Sequence, residues 1–376
     1  MDTANQTEVK ENAKTKLILF SIIGILAILI IFFLVFSKVS FSPQTNLETC
    51  NILNENQGSK FNIVFFAEKQ EAEKYSGLLL NTSPFNQNKQ AFNFYYIDSW
   101  KPACEIYKNI ALLCYSKELI KKSSSCQNDY IIVLEDKPGN IRSSSYMNVL
   151  SINTNNPEKV LIHEFGHAFA NLADEYTPAK IPRGSKNCVL ECSEFPDNDG
   201  ICFGGCSKPN YLRSINLGLM RTLNSDTYGA FNENLILSKI AETPGKKLTA
   251  MAISEDKACT SQEYYLIEGR YLNEKINIFN KSLETGCVGK NGAGGFDYRI
   301  TGQDNSVIQQ NEFNPELIFT DTQNAEIISG ETYESSINFI LKIPVISNAE
   351  KLSILIENKT LAETSLKDIG AIPCKI

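Results

Sequence analysis

The chain has 376 residues, a length that allows two domains of ordinary size. It carries 43 acidic and 36 basic residues, for a net charge of −7, and it has no sustained run of lysine or arginine. A chain without a basic patch has no surface suited to binding phosphates, so we expect no nucleic-acid partner.

The N-terminal region contains an apolar stretch, residues 17–36, interrupted only by Ser21 and Gly24. A helix of that length rises about 30 Å, which matches the hydrocarbon core of a bilayer. Three lysines precede the stretch and only Lys38 follows it closely, so the positive-inside bias predicts a cytoplasmic tail at 1–16 and a transmembrane signal anchor at 17–36. The alternative is a cleaved signal peptide, although the stretch is long for one and no clear cleavage site follows.

The next region is predicted to be a linker followed by a domain of mixed secondary structure. Residues 37–59 are rich in Ser, Asn, Gln and Thr and predict the linker. Residues 60–245 then alternate between strand-like and helix-like segments, which is typical of a mixed α/β domain. The predicted strands are 61–66, 91–98, 130–135 and 146–152, and the first predicted helix is 68–80.

The only two histidines of the chain, His163 and His167, bracket Glu164 in the pattern H-E-x-x-H. Residues four apart lie on one face of a helix, so the two imidazoles can bind one zinc ion while the glutamate activates a water molecule. Asn156 and Pro157 predict the cap and the first residue of this helix. The alternative is a pair of histidines that only make hydrogen bonds within the core.

Catalytic zinc usually takes three protein ligands, and no histidine remains for the third position. Asp174 is the first candidate, but on a continuous helix it would lie about 10 Å beyond His167. The helix must therefore end near Ala170 or Asn171 and reverse, and asparagine tolerates the left-handed conformation that such a turn needs. The alternatives, in order, are Glu175 and then Glu191 or Glu194.

Eleven cysteines are typical of an exported domain in an oxidising compartment. The densest group predicts either two local disulfides or a four-thiolate zinc site, and export together with the three-residue spacings favours disulfides. This group is Cys188, Cys192, Cys202 and Cys206. Two further bridges are predicted among Cys50, Cys104, Cys114 and Cys126, and one between Cys259 and Cys287, which leaves Cys374 without a partner.

The character of the chain changes near residue 246, where strand-like segments separated by Gly, Asn and Asp turns begin. Short strands at regular spacing predict an all-β sandwich, so we assign residues 246–376 to a β-sandwich accessory domain. The predicted strands are 247–254, 263–268, 275–280, 316–320, 335–343 and 351–357. This part has no histidine and shows no chemistry, which favours a binding or spacer role.

The stretch His-Glu-Phe-Gly-His-Ala-Phe-Ala-Asn-Leu-Ala-Asp-Glu-Tyr, residues 163–176, resembles the signature of the IgA peptidase family of zinc metallopeptidases, which are metzincin-like. Residues 83–93 and 211–221 also resemble segments of that family. The likeness covers roughly residues 60–235 and is patchy outside the signature. It implies a zincin-like catalytic domain, a twisted mixed sheet with an active-site helix, in which Met220 lies beneath the zinc.

The sequence departs from the related metzincin motif at Ala170 and Ala173, where that motif has a glycine and a zinc ligand. No tyrosine stands two residues after Met220, so the resemblance does not assign a tyrosine that stabilises the oxyanion in this chain. The third ligand is consequently less well defined by the resemblance than the histidine pair.

The predicted protein is thus a membrane-anchored, extracytoplasmic zinc endopeptidase whose partner is a protein or peptide substrate. Zinc-activated water would hydrolyse the peptide bond, with Glu164 as general base and then general acid. The resemblance also implies that the strand before the active-site helix, 146–152, pairs with an extended substrate. The alternatives are a non-catalytic zincin-fold binding protein of the cell surface and a hydrolase of a non-peptide amide.

Overall fold

The computed structural model describes residues 47–196, 201–242, 259–319 and 337–367. These described residues group into one compact unit. The described helices are α1 (Lys69–Asn81), α2 (Lys117–Ser123), α3 (Val160–Ala170) and α4 (Ala230–Ala241). The strands up to the site are β1 (Asn51–Asn54), β2 (Phe61–Phe66), β3 (Phe92–Ile97), β4 (Glu105–Tyr107), β5 (Ala111–Leu113), β6 (Tyr130–Glu135), β7 (Ser144–Tyr146) and β8 (Val149–Asn153). Those after it are β9 (Phe203–Cys206), β10 (Lys208–Arg213), β11 (Glu263–Leu272), β12 (Lys275–Thr285), β13 (Phe296–Thr301), β14 (Val307–Phe313), β15 (Ile318–Phe319), β16 (Asn338–Pro344), β17 (Lys351–Ile356) and β18 (Lys359–Ser365).

The predicted fold class was wrong. The described chain is mostly sheet, and its four α-helices are short, between 7 and 13 residues long. None of the helices in the described ranges combines the length and the apolar character that spanning a bilayer requires. The N-terminal transmembrane helix therefore has no support in the structure, and its residues, 17–36, lie outside the described ranges.

The main sheet has seven strands in the order β1-β3-β2-β6-β8-β7-β15. Its four central strands, β3, β2, β6 and β8, are parallel, whereas β1, β7 and β15 pair antiparallel. Parallel strands are stable when both faces are covered, and alternate side chains of β2 show that both faces are buried. Ile63 and Phe65 join the cluster that contains α1, α3 and α4, while Val64 and Phe66 join a cluster on the opposite face.

The second face of the main sheet is covered by C-terminal strands. Tyr264 and Leu266 of β11 and Ile340 of β16 belong to the same cluster as Val64. The alternate residues of β16, among them Phe339 and Leu341, pack instead in a cluster with the sheet β14-β13-β17-β18. The sheet β12-β11-β16 is thus a middle layer, buried on one side by the main sheet and on the other by the four-stranded sheet.

Several predicted strands and helices differ from the structure in detail. Residues 51–54, inside the predicted linker, form β1 and pair with β3. The predicted strand 146–152 is instead a hairpin, because the chain turns at Met147, whose φ is 56°, and β7 then pairs antiparallel with β8. The predicted boundary at 246 and the strand 247–254 lie outside the described residues.

The cysteines form disulfides, as predicted, and the four-thiolate zinc site is not formed. The pairs are Cys50–Cys126, Cys104–Cys114, Cys188–Cys206, Cys192–Cys202 and Cys259–Cys287. Cys374 lies outside the described residues.

A buried lysine joins the middle layer to α2. Lys342 of β16 is 1% exposed, and its Nζ donates to Asn128 Oδ1 at 2.8 Å and lies 3.4 Å from the hydroxyls of Ser123 and Ser124. These partners are neutral. Burial lowers the pKa of Lys342 to about 7, although Asp129 acts in the opposite direction.

We predict that this lysine makes stability depend on pH. The unfolded-state pKa of lysine is about 10.4, so between pH 7 and that value the unfolded chain binds more protons than the folded chain, and stability rises with pH. From pH 7 to pH 9 the free energy of unfolding should rise by roughly 2 kcal/mol. Urea denaturation of Lys342→Met should lack this rise, and an equal rise in that variant would contradict the assignment.

Candidate metal centre

Helix α3 carries the histidine pair through the core of the molecule. His163, Glu164 and His167 are 0%, 0% and 2% exposed. The helix begins at Val160, later than predicted, and its expected cap is used elsewhere: Asn156 accepts a hydrogen bond from the Ser143 hydroxyl at 3.0 Å. The cap prediction was therefore wrong, because a buried partner from another segment competes for the asparagine side chain.

The C-terminus of α3 reverses as predicted. Asn171 adopts the left-handed conformation, with φ 51° and ψ 36°. The amide of Asn171 donates to the His167 carbonyl at 3.0 Å, the bond typical of a left-handed helix cap, and the amide of Leu172 donates to the Gly166 carbonyl at 3.3 Å. This reversal brings the following residues back along the side of the helix that bears the imidazoles.

Three polar atoms from the helix and the returning chain converge. Asp174 Oδ1 lies 2.9 Å from His163 Nε2 and 3.2 Å from His167 Nε2, and the two Nε2 atoms are 3.0 Å apart. Asp174 is 3% exposed. Among the described residues, these three side chains form the group of His, Cys, Asp or Glu that could hold a metal ion.

The opposite nitrogen of each imidazole is held by a backbone carbonyl. His163 Nδ1 lies 2.8 Å from the Leu219 oxygen, and His167 Nδ1 lies 2.5 Å from the Leu172 oxygen. A carbonyl oxygen can only accept, so each Nδ1 carries a proton, and in its neutral form each ring presents a lone pair at Nε2. In that form two lone pairs and a carboxylate face one another in a buried site, an arrangement that a bound metal ion would stabilise.

The donor set fits zinc. In a tetrahedral zinc site with Zn–N distances of about 2.0–2.1 Å, ligand atoms are about 3.3 Å apart, and the distances of 2.9 to 3.2 Å among these three atoms come close to that. Metal-binding histidines also usually donate their second N–H to a carbonyl or carboxylate, as both rings do here. The same donors suit other divalent transition ions, so the geometry fits a metal ion without identifying zinc.

The electrostatics of Asp174 favour its charged form. When no metal is bound, burial raises the pKa of its carboxyl, but the His167 and His163 rings, when protonated, act against it through charge and hydrogen bonding and hold the pKa well below its ordinary range. The residue is therefore available as a carboxylate ligand.

The alternative third ligands lie elsewhere. Glu175 points away from the histidines, and its Oε1 accepts from Asn232 Nδ2 at 2.8 Å and from Asn187 Nδ2 at 3.2 Å. Burial, partly offset by these two hydrogen bonds, raises its pKa to about 7. Glu191 and Glu194 are exposed and cap a short 3-10 helix together.

The segment that contains Met220 lies directly against α3. A Cβ atom placed on Gly166 would come within 2.9 Å of both Met220 Sδ and Tyr228 Cε1. Only glycine permits this approach, which places Leu219 where its carbonyl meets His163. Sequence reasoning selected Met220 but missed the carbonyls of Leu219 and Leu172, because any residue type supplies a backbone oxygen.

The expected substrate-binding strand is not available in the described structure. Strand β8 pairs with β6 on one side and with β7 on the other, so neither of its edges is free. The outer edge of β7 is in turn paired with β15 of the C-terminal part. The prediction that residues 146–152 pair with a peptide was therefore wrong for this conformation.

No protein-family model matches the chain, and no curated protein matches it either. The resemblance to IgA peptidases stays a prediction that rests on residues 163–176 and the two flanking segments. The function of the chain is consequently inferred from the geometry and chemistry of the three donor side chains.

We predict that Asp174→Ala removes most of the metal affinity of the site, because it leaves only two donor side chains. Zinc at 100 times the dissociation constant should raise the free energy of unfolding of the wild-type chain by about 2.7 kcal/mol. Thermal denaturation of the variant should show almost none of this increase at the same zinc concentration. Glu191→Ala, which removes an exposed carboxylate, is the matched control, and an unchanged zinc effect in Asp174→Ala would exclude it as a ligand.

Proposed function

We propose that the protein is an exported zinc-dependent endopeptidase. The observation that carries the proposal is the convergence of His163, His167 and Asp174, with both Nδ1 atoms tied to backbone carbonyls. Structural zinc sites are usually closed by four protein ligands, whereas catalytic sites have three and leave one position for water or substrate. The described residues bring together three such side chains, which favours the catalytic kind of site.

Glu164 is the residue that we assign to proton transfer. A zinc ion bound at this site would polarise the scissile carbonyl and lower the pKa of a bound water. Glu164 directly follows His163 on α3 and is fully buried. Its carboxylate would accept a proton from the attacking water and deliver it to the amine that leaves, so that one side chain serves both proton transfers.

An oxidising compartment is supported by the five disulfides among the described residues. Such bonds persist outside the cell and in other oxidising compartments and are rare in the reducing cytosol. We therefore place the described part of the chain on the extracytoplasmic side.

The second candidate function is a non-catalytic metal-binding protein that recognises a partner. It is favoured by the burial of the site, since the three donor residues are at most 3% exposed. A peptide needs access to the reacting atoms, and a buried ion can serve a purely structural role. The presence of Glu164 in the H-E-x-x-H pattern favours the enzyme, because a structural site has no chemical use for that carboxylate.

We predict that Glu164→Gln retains the metal but loses peptide cleavage. The glutamine side chain occupies the same space as glutamate, but its amide cannot accept the proton of the attacking water. The loss should be at least 10²–10⁴-fold, the usual contribution of a general acid–base group. Digestion of casein and of a peptide library, with and without a chelator, measures the activity, and a zinc titration measures the retained affinity.

Glu158→Gln is the matched control, since this glutamate lies just before α3 and its side chain is half exposed. Its activity should equal that of the wild-type chain. Full activity of Glu164→Gln would remove Glu164 from the mechanism. A wild-type chain that binds zinc but cleaves no peptide would instead support the non-catalytic alternative.

A further inference from the structure

We propose that the Cys188–Cys206 disulfide positions Asp174, so that the metal affinity of the site depends on this covalent bond. The inference rests on the proposed metal site and adds to it a structural control of the third donor. It concerns one of the five disulfides in the described ranges, and the neighbouring Cys192–Cys202 pair provides a comparison within the same loop.

Asp174 needs support from outside its own segment. His163 and His167 are fixed by α3, but residues 171–174 have no regular secondary structure after the helix ends. Backbone hydrogen bonds hold this segment at Leu172 and at Glu175, whose amides donate to the carbonyls of Gly166 and Met220, so neighbouring side chains must hold Ala173 and Asp174 between them.

Two buried side chains provide that support. Asn187 holds Ala173 at both polar groups: its Oδ1 accepts from the Ala173 amide at 2.7 Å, and its Nδ2 donates to the Ala173 carbonyl at 2.9 Å. The hydroxyl of Ser207 donates to the carbonyl of Asp174 at 2.7 Å. Asn187 and Ser207 are 0% and 1% exposed, so no solvent competes for these hydrogen bonds.

The disulfide links two cysteines that are sequence neighbours of Asn187 and Ser207. Asn187 immediately precedes Cys188, and Ser207 immediately follows Cys206. The two cysteines are 18 residues apart in sequence, and their side chains form a small buried cluster with Ala173. Cys188 Sγ lies 3.6 Å from the carbonyl oxygen of Asp174, so the bond itself touches the segment that it holds.

We call Asn187, Ser207 and the Cys188–Cys206 bond together the third-ligand clamp. Without the bond, Val189 would still pair with Leu212 through two backbone hydrogen bonds, at 3.1 Å and 2.7 Å. The loop would therefore stay attached near Cys188, while Asn187 and Ser207 would lose their fixed spacing. We expect Asp174 to be misplaced rather than removed, which lowers the metal affinity without abolishing it.

The test compares zinc affinity in full-length variants by competition with a chelator of known affinity. Cys188→Ser with Cys206→Ser should bind zinc about 10–100-fold more weakly than the wild-type chain, the range found when an outer partner of a metal ligand is lost. Cys192→Ser with Cys202→Ser should bind as the wild-type chain does. Visible absorption of the cobalt-loaded proteins should change in the first pair of substitutions and not in the second.

Single substitutions separate the clamp from a general loss of folding. Asn187→Ala and Ser207→Ala keep every disulfide and should each weaken zinc binding while the circular dichroism spectrum is unchanged. If these variants and the Cys188/Cys206 variant bind zinc like the wild-type chain, the clamp is overturned and the metal site stands. If loss of Cys188–Cys206 and loss of Cys192–Cys202 weaken zinc binding to the same extent, the effect is not specific to the clamp, and the proposal is likewise overturned. A wild-type chain that binds no zinc overturns the proposed metal site itself.

Discussion

The Nε2 atoms of His163 and His167 and the carboxylate of Asp174 converge beside helix α3, and the surrounding structure keeps them there. Each imidazole donates its Nδ1 proton to a backbone carbonyl, so its Nε2 lone pair is directed at the partner ring and at Asp174. In a buried environment such a group of acceptors is unfavourable unless a cation lies between them. Metal binding is thus the most direct physical explanation of the arrangement.

The chain reaches this geometry through close backbone contacts. Gly166 allows Met220 and Tyr228 to pack against the turn between the two histidines. The left-handed Asn171 sends the chain back, and the backbone amide of Glu175 then donates to the Met220 carbonyl at 2.8 Å. The helix, the return segment and the Met220 segment therefore form one connected unit, in which α3 carries both histidines and the return segment carries Asp174.

Much of the main sheet and the site could be predicted from local patterns. The strand 61–66 is apolar except at Asn62, and its bounds were predicted without error. The H-E-x-x-H spacing and the need for a left-handed residue located both histidines and the reversal at Asn171. These features are determined by residues close in sequence, and such features are the ones that sequence patterns describe well.

The features that were not predicted from the sequence depend on contacts between residues that are far apart in the chain. Strands β14 and β18 contain mostly polar, exposed residues and form because neighbouring strands pair with them. No local signal indicated that β15 would extend the main sheet at β7, or that Asn156 would bond to Ser143. The same is true of the third-ligand clamp, since nothing in the sequence shows that Asn187 reaches Ala173.

The central claim is that His163, His167 and Asp174 together bind one divalent ion. X-ray absorption spectroscopy of the zinc-loaded wild-type chain tests it most directly, because it reports the atoms bound to the metal. The account predicts two imidazole nitrogens and oxygen ligands at about 2.0–2.2 Å, with no sulfur. Zinc bound through sulfur at about 2.3 Å, or a spectrum without the imidazole signal, would contradict it.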